Sequence, residues 1–369
     1  MRSDVLILGG GVIGLTTACY LRKARLSVTV LDQGDLGQES SWAGAGILNA
    51  VPRLNPTLTP LERLAAHSGP LIDELSRELL DVAGIDNGLQ RAGGIELFEP
   101  DQPTSEAIWT RQEISFQTLT PALRATLEPA LQVGQRRGFF VPATGQLRNP
   151  RHLKALLGWC ALNQVELRPH CPVLGFEVQA GRLLGVRTPQ GLVSAGQYVL
   201  TAGAWAGGLL ASLGVSCPVK PVRGQIVLLR TPPRFLTRVI EVGRRYIVPR
   251  PDGRVLIGST EEDAGFEKKT TAGAIAGLIE FACTLVPGLA EMPLERCWSG
   301  LRPGSPDGLP FIGPVPGVEQ LWVAAGHFRA GIQLSTGTGY LLRQMILGEP
   351  AIVPPQAFRL DRPIAGPGT

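Results

Sequence analysis

The chain is poor in the residues from which metal centres, disulfide frameworks and membrane spans are built. Only four histidines occur in 369 residues, His67, His152, His170 and His327, and none stands at ligand spacing from another His or Cys. No metal site is therefore read, and each histidine is expected as a surface or satisfied core residue. The six cysteines, Cys19, Cys160, Cys171, Cys217, Cys283 and Cys297, contain no C-x-x-C pair and no regular framework. They are expected as reduced thiols in a cytoplasmic compartment. No apolar run approaches the length of a membrane span, and Met1-Arg2-Ser3 leads directly into an apolar strand, so a soluble chain without a leader is expected. The arginines are scattered and the formal charge is only +4, which gives no footprint for nucleic acid or a polybasic membrane surface. An acidic small substrate stays compatible with this balance. With 44% hydrophobic and 18% charged residues, the chain has the composition of a soluble enzyme long enough for two domains.

What is present begins at once. Asp4-Val5-Leu6-Ile7-Leu8 reads as a buried parallel strand, and it runs into Gly9-Gly10-Gly11-Val12-Ile13-Gly14 at the start of a helix expected over 12–24. Gly9 permits the tight turn, Gly11 lets the backbone approach a pyrophosphate, and Gly14 allows close helix–strand packing. A second strand, Ser27 to Leu31, ends in Asp32, eighteen positions after Gly14, where a carboxylate can accept from ribose hydroxyls. Strand, glycines, helix, second strand and terminal acid in this order bind an adenine dinucleotide, NAD or FAD. A glycine-rich turn without a ligand would leave Asp32 unexplained.

Beyond Asp32, residues 34–49 read as a loop of small residues able to lie against a flat cofactor. Leu61 to Val82 has the periodicity of one or two amphipathic helices, and further helices are expected near 105–117, 149–163, 272–285 and 331–347. Short strands are expected at 93–98, 165–167, 173–178, 183–186 and 198–200. Others follow at 226–230, 239–242, 246–249, 255–258 and 297–301, a strand-rich run that implies a largely antiparallel sheet. Phe311-Ile312-Gly313 and Leu321 to Gly326 look like a return to the first domain.

Distant motifs choose between the dinucleotides. Thr201-Ala202-Gly203-Ala204-Trp205, the inserted strand-rich region and Gly326-His327-Phe328-Arg329-Ala330-Gly331-Ile332 together resemble the amino-acid oxidase flavoproteins of the D-amino acid oxidase family. Tyr246-Ile247-Val248-Pro249-Arg250, Gly300-Leu301-Arg302-Pro303-Gly304 with Asp307-Gly308-Leu309-Pro310, and Gly326 to Arg329 narrow the likeness to glycine oxidases of thiamine synthesis. The resemblance spans nearly the whole chain. It implies an α/β fold in which an FAD-binding Rossmann-like domain, 1–85, 141–215 and 303–369, carries an inserted, largely antiparallel substrate domain, 86–140 and 216–302. The cofactor implied is non-covalent FAD, since Cys297 before Trp298 forms no evident attachment motif.

By the same resemblance, Val12 and Ile13 would meet the pyrophosphate, Asp32 and Gln33 the ribose, and Ser40 and Ser41 phosphate oxygens. Ala45, Gly46 and Ile47 would lie beside the isoalloxazine, Val173 near adenine, and His327, Phe328, Arg329, Ala330, Gly331, Ile332 and Gln333 at the flavin pyrimidine. A helix beginning near Gly331 would aim its N–H dipoles at the ring and favour its anionic reduced form. Arg302 would bind the substrate carboxylate through two parallel hydrogen bonds, Tyr246 would add one, and Arg329 would support substrate, flavin or loop. No side chain serves as acid or base in this implied mechanism. The substrates implied are glycine, sarcosine and small D-amino acids, with oxygen as acceptor, peroxide as product and the imino acid passing to thiazole assembly.

Two positions depart from the family's pattern. Arg244 stands where a histidine is familiar, and Glu261 where a less polar pocket residue is expected; Glu261 is read as facing solvent or an arginine. The rival readings are a D-amino acid dehydrogenase passing electrons to a quinone and a flavin- or nucleotide-binding regulator without turnover. The family also implies a homo-oligomer, up to a tetramer.

Overall fold

The computed structural model describes residues 3–364. Its first sheet has six strands in the order Phe311–Pro314, Leu321–Ala325, Ala195–Leu200, Ser3–Leu8, Val28–Leu31 and Glu166–Arg168. All neighbours run parallel except Phe311–Pro314, which is antiparallel to Leu321–Ala325. The opening strand lies inside this sheet with Val5 through Leu8 almost fully buried, which is why it reads as a continuous apolar run rather than an alternation. Its two faces are covered differently. On one, the helices Val12–Lys23, Pro60–Ala83, Asn149–Leu162 and Gly331–Leu347 pack with Ile7, Val30, Val199 and Ala324. On the other, Leu6, Leu8, Tyr198 and Val323 meet the small antiparallel sheet of Gly175–Gln179, Arg182–Thr188 and Gly191–Val193.

The second large sheet has eight strands, in the order Leu294–Gly304, Lys220–Arg230, Arg254–Gly258, Arg245–Pro249, Val239–Val242, Gly94–Phe98, Arg137–Val141 and Gln117–Thr118. Only the pairing of Val239–Val242 with Gly94–Phe98 is parallel. Ile95, Leu97, Val227, Leu229, Ile240, Ile247, Val255 and Ile257 bury under the helix Ala272–Leu285. Because side chains alternate across a strand, the intervening residues Ile226, Leu228, Tyr246, Val248 and Leu256 fall on the opposite face, where they meet Ala45 and Ile47 of the other sheet's loops.

Several expected bounds shift. The strand expected at 297–301 runs from Leu294 to Gly304, because pairing with Lys220–Arg230 outweighs the poor strand propensity of Pro303 and Gly304. Arg302 therefore sits within a strand, opposite Val222. The 105–117 helix is only Glu106–Arg111, ending before Glu113, whose φ of 55° is left-handed. The 34–49 loop contains a short helix, Ser40–Ala43, and the strand Ile47–Leu48, which pairs with Gly145–Gln146. Leu61 to Val82 belongs to a single helix, Pro60–Ala83, opened by a Thr59–Glu62 capping box and closed by left-handed Gly84.

The strand-to-helix turn depends on contacts that only glycines allow. Gly9 has a φ of +119°, and a Cβ there would strike the Thr201 carbonyl. A Cβ on Gly14 would fall on the Gly9 carbonyl oxygen and the Thr201 hydroxyl. Thr201 secures this junction by donating its hydroxyl to the Gly9 carbonyl at 2.7 Å, while its N–H donates to the Leu8 carbonyl at 2.8 Å. Gly14→Ala is expected to destabilise the chain by about 2 kcal/mol despite alanine's better helix propensity, because overpacking outweighs a propensity gain of about 1 kcal/mol. Urea unfolding of the two proteins checks this; equal midpoints would contradict it.

Candidate active site

A cavity of about 670 Å³ runs from the glycine turn, between the two large sheets, to the face of the eight-stranded sheet that bears Tyr246. Gly9, Gly11, Val12, Ile13, Asp32, Gln33, Ser40 and Ser41 line one end, with Val173 and the Thr201–Trp205 segment beside them. Ala45, Gly46, Ile47 and the run His327 to Gln333 line the middle, and Tyr246, Arg302 and Arg329 also reach the wall. Of the residues expected to bind cofactor or substrate, Gly14 alone is absent from this lining. Its role is the close packing described above, so it belongs to the cofactor-binding set only through the turn it permits.

The glycine turn is held ready by its neighbours. Asp32 accepts the Gly10 N–H at 2.7 Å and the Gly34 N–H at 3.0 Å, which fixes its carboxylate at the strand end. Burial raises its pKa, and these two backbone N–H groups oppose that rise. Ser41 accepts the Val12 N–H at 2.9 Å, so the helix start is tied to the Ser40–Ala43 turn. Asn149 donates to the Ser41 carbonyl at 2.9 Å, while its side-chain oxygen is buried on the cavity wall without a donor among the described residues.

At the far end, two glycines make the floor over which the polar side chains lie. A Cβ on Gly224 would enter the Arg302 guanidinium, and one on Gly258 would enter the Tyr246 phenol. Arg302 donates to the Thr260 carbonyl at 3.1 Å and the Ser259 hydroxyl at 2.6 Å, which leaves further N–H groups of its fork for a ligand. Burial pulls its pKa down, while the neighbouring Tyr246 and Glu261 act to raise it. A guanidinium in this setting keeps its charge. The loop carrying His327 to Ala330 is pinned beside Arg302, since the Phe328 N–H donates to the Pro303 carbonyl at 2.9 Å.

A family model described as FAD dependent oxidoreductase, DAO, matches residues 4–345. The chain belongs to this FAD-dependent oxidoreductase family. A glycine oxidase of Pseudomonas putida is 38% identical over 361 residues, covering 97% of this chain and 98% of that one. The crystal structure of glycine oxidase from Geobacillus kaustophilus superposes with a TM-score of 0.92 at 33% identity, covering 99% of this chain and all of that one. The bifunctional protein ThiO/ThiG of Trichormus variabilis is 33% identical over 94% of this chain, which spans 53% of that longer protein. The cofactor of this flavoenzyme is FAD. The glycine cradle, the fixed Asp32 and the unpartnered Asn149 oxygen give residues that fit such a group.

One side chain that was given no role from the sequence supports the flavoenzyme's cavity. Arg250 is buried and donates to the Ala45 carbonyl at 2.6 Å, the Leu147 carbonyl at 2.9 Å and the Gln146 side chain at 2.5 Å, which holds the 45–47 wall in place. Burial lowers its pKa to about 10, still far above neutrality. The two unusual positions prove to be partners. Glu261, only 15% exposed, accepts from Arg244 at 2.6 Å and from Arg329 at 3.2 Å, and Arg329 also donates to the Arg244 carbonyl at 2.7 Å. His327 lines the cavity yet is buried with its ring on the Thr338 hydroxyl at 3.0 Å, and burial lowers its pKa to about 3, so it is neutral at working pH. The six cysteines are free; Cys19 and Cys160 approach to 3.9 Å between sulfurs.

Two acids on the cavity face had no role in the sequence reading. Glu241 lines the cavity, directly beside Tyr246 in the antiparallel register and beside Glu96 in the parallel one. Each is a lone acid in an apolar strand, Val239–Val242 and Gly94–Phe98, a signal that period-two patterning would have assigned to the face away from Ile240 and Ile95. Burial, aided by the charge of Glu241, raises the Glu96 pKa to about 8; burial raises that of Glu241 to about 7, opposed by Arg329.

A folded-state pKa above the unfolded value means that the unfolded chain loses the proton first, so stability falls as pH rises toward the folded value. Glu96→Gln removes this cost. Its melting temperature is expected to gain on the parent increasingly from roughly pH 5 to pH 8 and to hold that gain above. Thermal unfolding across this range checks it, and an offset independent of pH would refute the assigned cause.

Proposed function

We propose that this oxidoreductase oxidises glycine, sarcosine and small D-amino acids, and that Arg302 with Tyr246 binds their carboxylate. The supporting observation is the half-buried guanidinium of Arg302, folded over Gly224 next to the phenol that lies over Gly258, at the end of a cavity suited to the dinucleotide. A guanidinium gives a carboxylate two parallel charge-assisted hydrogen bonds, which fixes both distance and orientation. Tyr246 adds a third donor, and Arg329, already engaged by Glu261, stabilises the loop and the local positive field.

Bound FAD supplies the hydride acceptor, with oxygen reduced to hydrogen peroxide on reoxidation. The chain's own residues supply position. With the carboxylate fixed, the α-carbon is presented at one distance from the cofactor, and the entropy of alignment is spent in binding rather than in the reaction. Asp32, Gln33, Ser40, Ser41 and the Val173 backbone hold the dinucleotide, and Ala45 to Ile47 with His327 to Gln333 hold the ring. In this reading 1–85, 141–215 and 303–369 carry the cofactor, and 86–140 and 216–302 carry the substrate. The enzyme is a cytoplasmic homo-oligomer, up to a tetramer, whose imino acid feeds thiazole assembly. No helix among the described residues is long and apolar enough to cross a membrane.

The purified protein is expected to be yellow and to release FAD on acid precipitation. Anaerobic glycine, sarcosine, D-alanine or D-proline should bleach it, and air should restore the colour with peroxide formed. Bleaching that only a quinone reverses would instead favour the dehydrogenase reading. Arg302→Ala is expected to keep its colour and raise the KM for glycine roughly 100-fold, the loss of about two charge-assisted hydrogen bonds. Unchanged KM in a yellow variant would overturn the carboxylate assignment.

A further inference from the structure

One row of the eight-stranded sheet runs through directly paired residues, Phe139, Glu96, Glu241, Tyr246, Gly258, Ile226 and Trp298, of which Glu241, Tyr246 and Ile226 line the cavity. Glu241 is the acid in this row that reaches the cavity wall. Its carboxylate makes no hydrogen bond or ion pair to a side chain among the described residues, although Arg329 lines the same cavity. The reason lies in the neighbouring clasp. Glu261 and the Arg244 carbonyl take the Arg329 guanidinium, and Thr260 with Ser259 engages Arg302. Glu241 is left as an acid one residue from the phenol that faces the carboxylate site, with no cation of its own.

We propose that Glu241 receives the amino group of the substrate and takes its excess proton, so that Arg302 and Tyr246 hold one end of the amino acid and Glu241 the other. This assignment rests on the amino-acid oxidase reading above. Free amino acids arrive as zwitterions, whose ammonium nitrogen has no lone pair to form the imine. A Glu241 oxygen accepts one ammonium proton: an N–H bond breaks, an O–H bond forms, and the nitrogen keeps the electron pair. That pair forms the C=N bond as the α-carbon gives its hydride, two electrons and one proton, to FAD. The proton on Glu241 passes to water when the imino acid leaves.

The groups facing Glu241 fit this work. Glu96 from Gly94–Phe98 brings a second carboxyl group, Tyr246 from Arg245–Pro249 a phenol, and Arg329 from the 326–330 loop and Arg302 from Leu294–Gly304 their guanidinium groups. Burial raises the pKa of both acids, the charge of Glu241 raises that of Glu96 further, and Arg329 opposes the rise at Glu241. A base that titrates near the working pH is poised both to accept a proton and to release it. Glu96 is a positioning residue here, since it pairs with Glu241 in the row but does not line the cavity.

The experiment compares two ligands of the yellow holoenzyme, followed by the flavin absorbance. α-Aminoisobutyrate has the amine but no α-hydrogen, so it binds without turnover; isobutyrate lacks the amine. Glu241→Gln is expected to weaken α-aminoisobutyrate binding roughly tenfold and to leave isobutyrate within about twofold, since only the first presents an ammonium. The acidic limb of kcat/KM for glycine, near pH 7 in the parent, should vanish in Glu241→Gln and persist in Glu241→Asp. Equal loss of both ligands, or an acidic limb that survives in Glu241→Gln, would overturn the proposal. Should Glu241→Gln lose its flavin, the Glu241→Asp profile decides alone: a retained limb displaced in pH supports the assignment, and an unmoved one overturns it. A parent that glycine cannot bleach refutes the amino-acid oxidase reading instead, before any variant is measured.

Discussion

The pleat of the eight-stranded sheet is the constraint on which the site depends. Successive residues of a strand must face opposite ways, so burying Ile95, Ile240, Ile247 and Ile257 beneath the helix Ala272–Leu285 sends Glu96, Glu241, Tyr246 and Gly258 to the other side. A shift of one residue in any strand would put its polar group in the apolar core and its apolar group in the cavity. The hydrophobic core under the helix thereby holds the register of the polar face. What the core gains in burial secures the placement of Tyr246, since these are alternate residues of the same strands.

A second consequence follows from what the sheet omits. Side chains over Gly224 and Gly258 would fill the space that Arg302 and Tyr246 occupy, so absent Cβ atoms do as much as the polar groups themselves. Both residues can then lie flat on the sheet and converge. Thr260 and Ser259 complete the support for Arg302 by accepting two of its N–H groups. The same economy of space governs the other end of the cavity, where Gly9 and Gly14 let the first helix sit against its strand and Thr201 locks the junction.

Charge is distributed so that the cations are held and one acid is not. Glu261 gathers Arg244 and Arg329, so the two unusual residues, Glu261 and Arg244, make sense together although each is puzzling alone. Arg244 is 77% exposed, so its share of the pair is worth little in stability. Arg329 is more enclosed and lines the cavity, so the bridge from Glu261 sets where its charge stands. Glu241 and Glu96 are left to share a partly buried row, at a cost in ionisation that an idle surface acid would not carry.

Much of this was legible in the chain itself. The run Asp4 to Gly14 with Asp32 specifies a strand, a glycine turn, a helix and a dinucleotide because each step is local: consecutive burial, positive φ and helix start all lie within a few residues. Motifs around Tyr246, Arg302 and His327 to Gln333 pointed to one cavity through family resemblance, and these residues do share it. The limits of the strand bearing Arg302, the Glu261 clasp, the support that Arg250 gives the 45–47 wall and the Glu96–Glu241 row were not legible. Each depends on residues far apart in the chain becoming neighbours, as Glu96 and Glu241 do across a parallel pairing. Local patterning fixes which face a residue takes, but only the packed sheets decide which other residue shares that face, because contact between distant strands is set by register and not by sequence spacing.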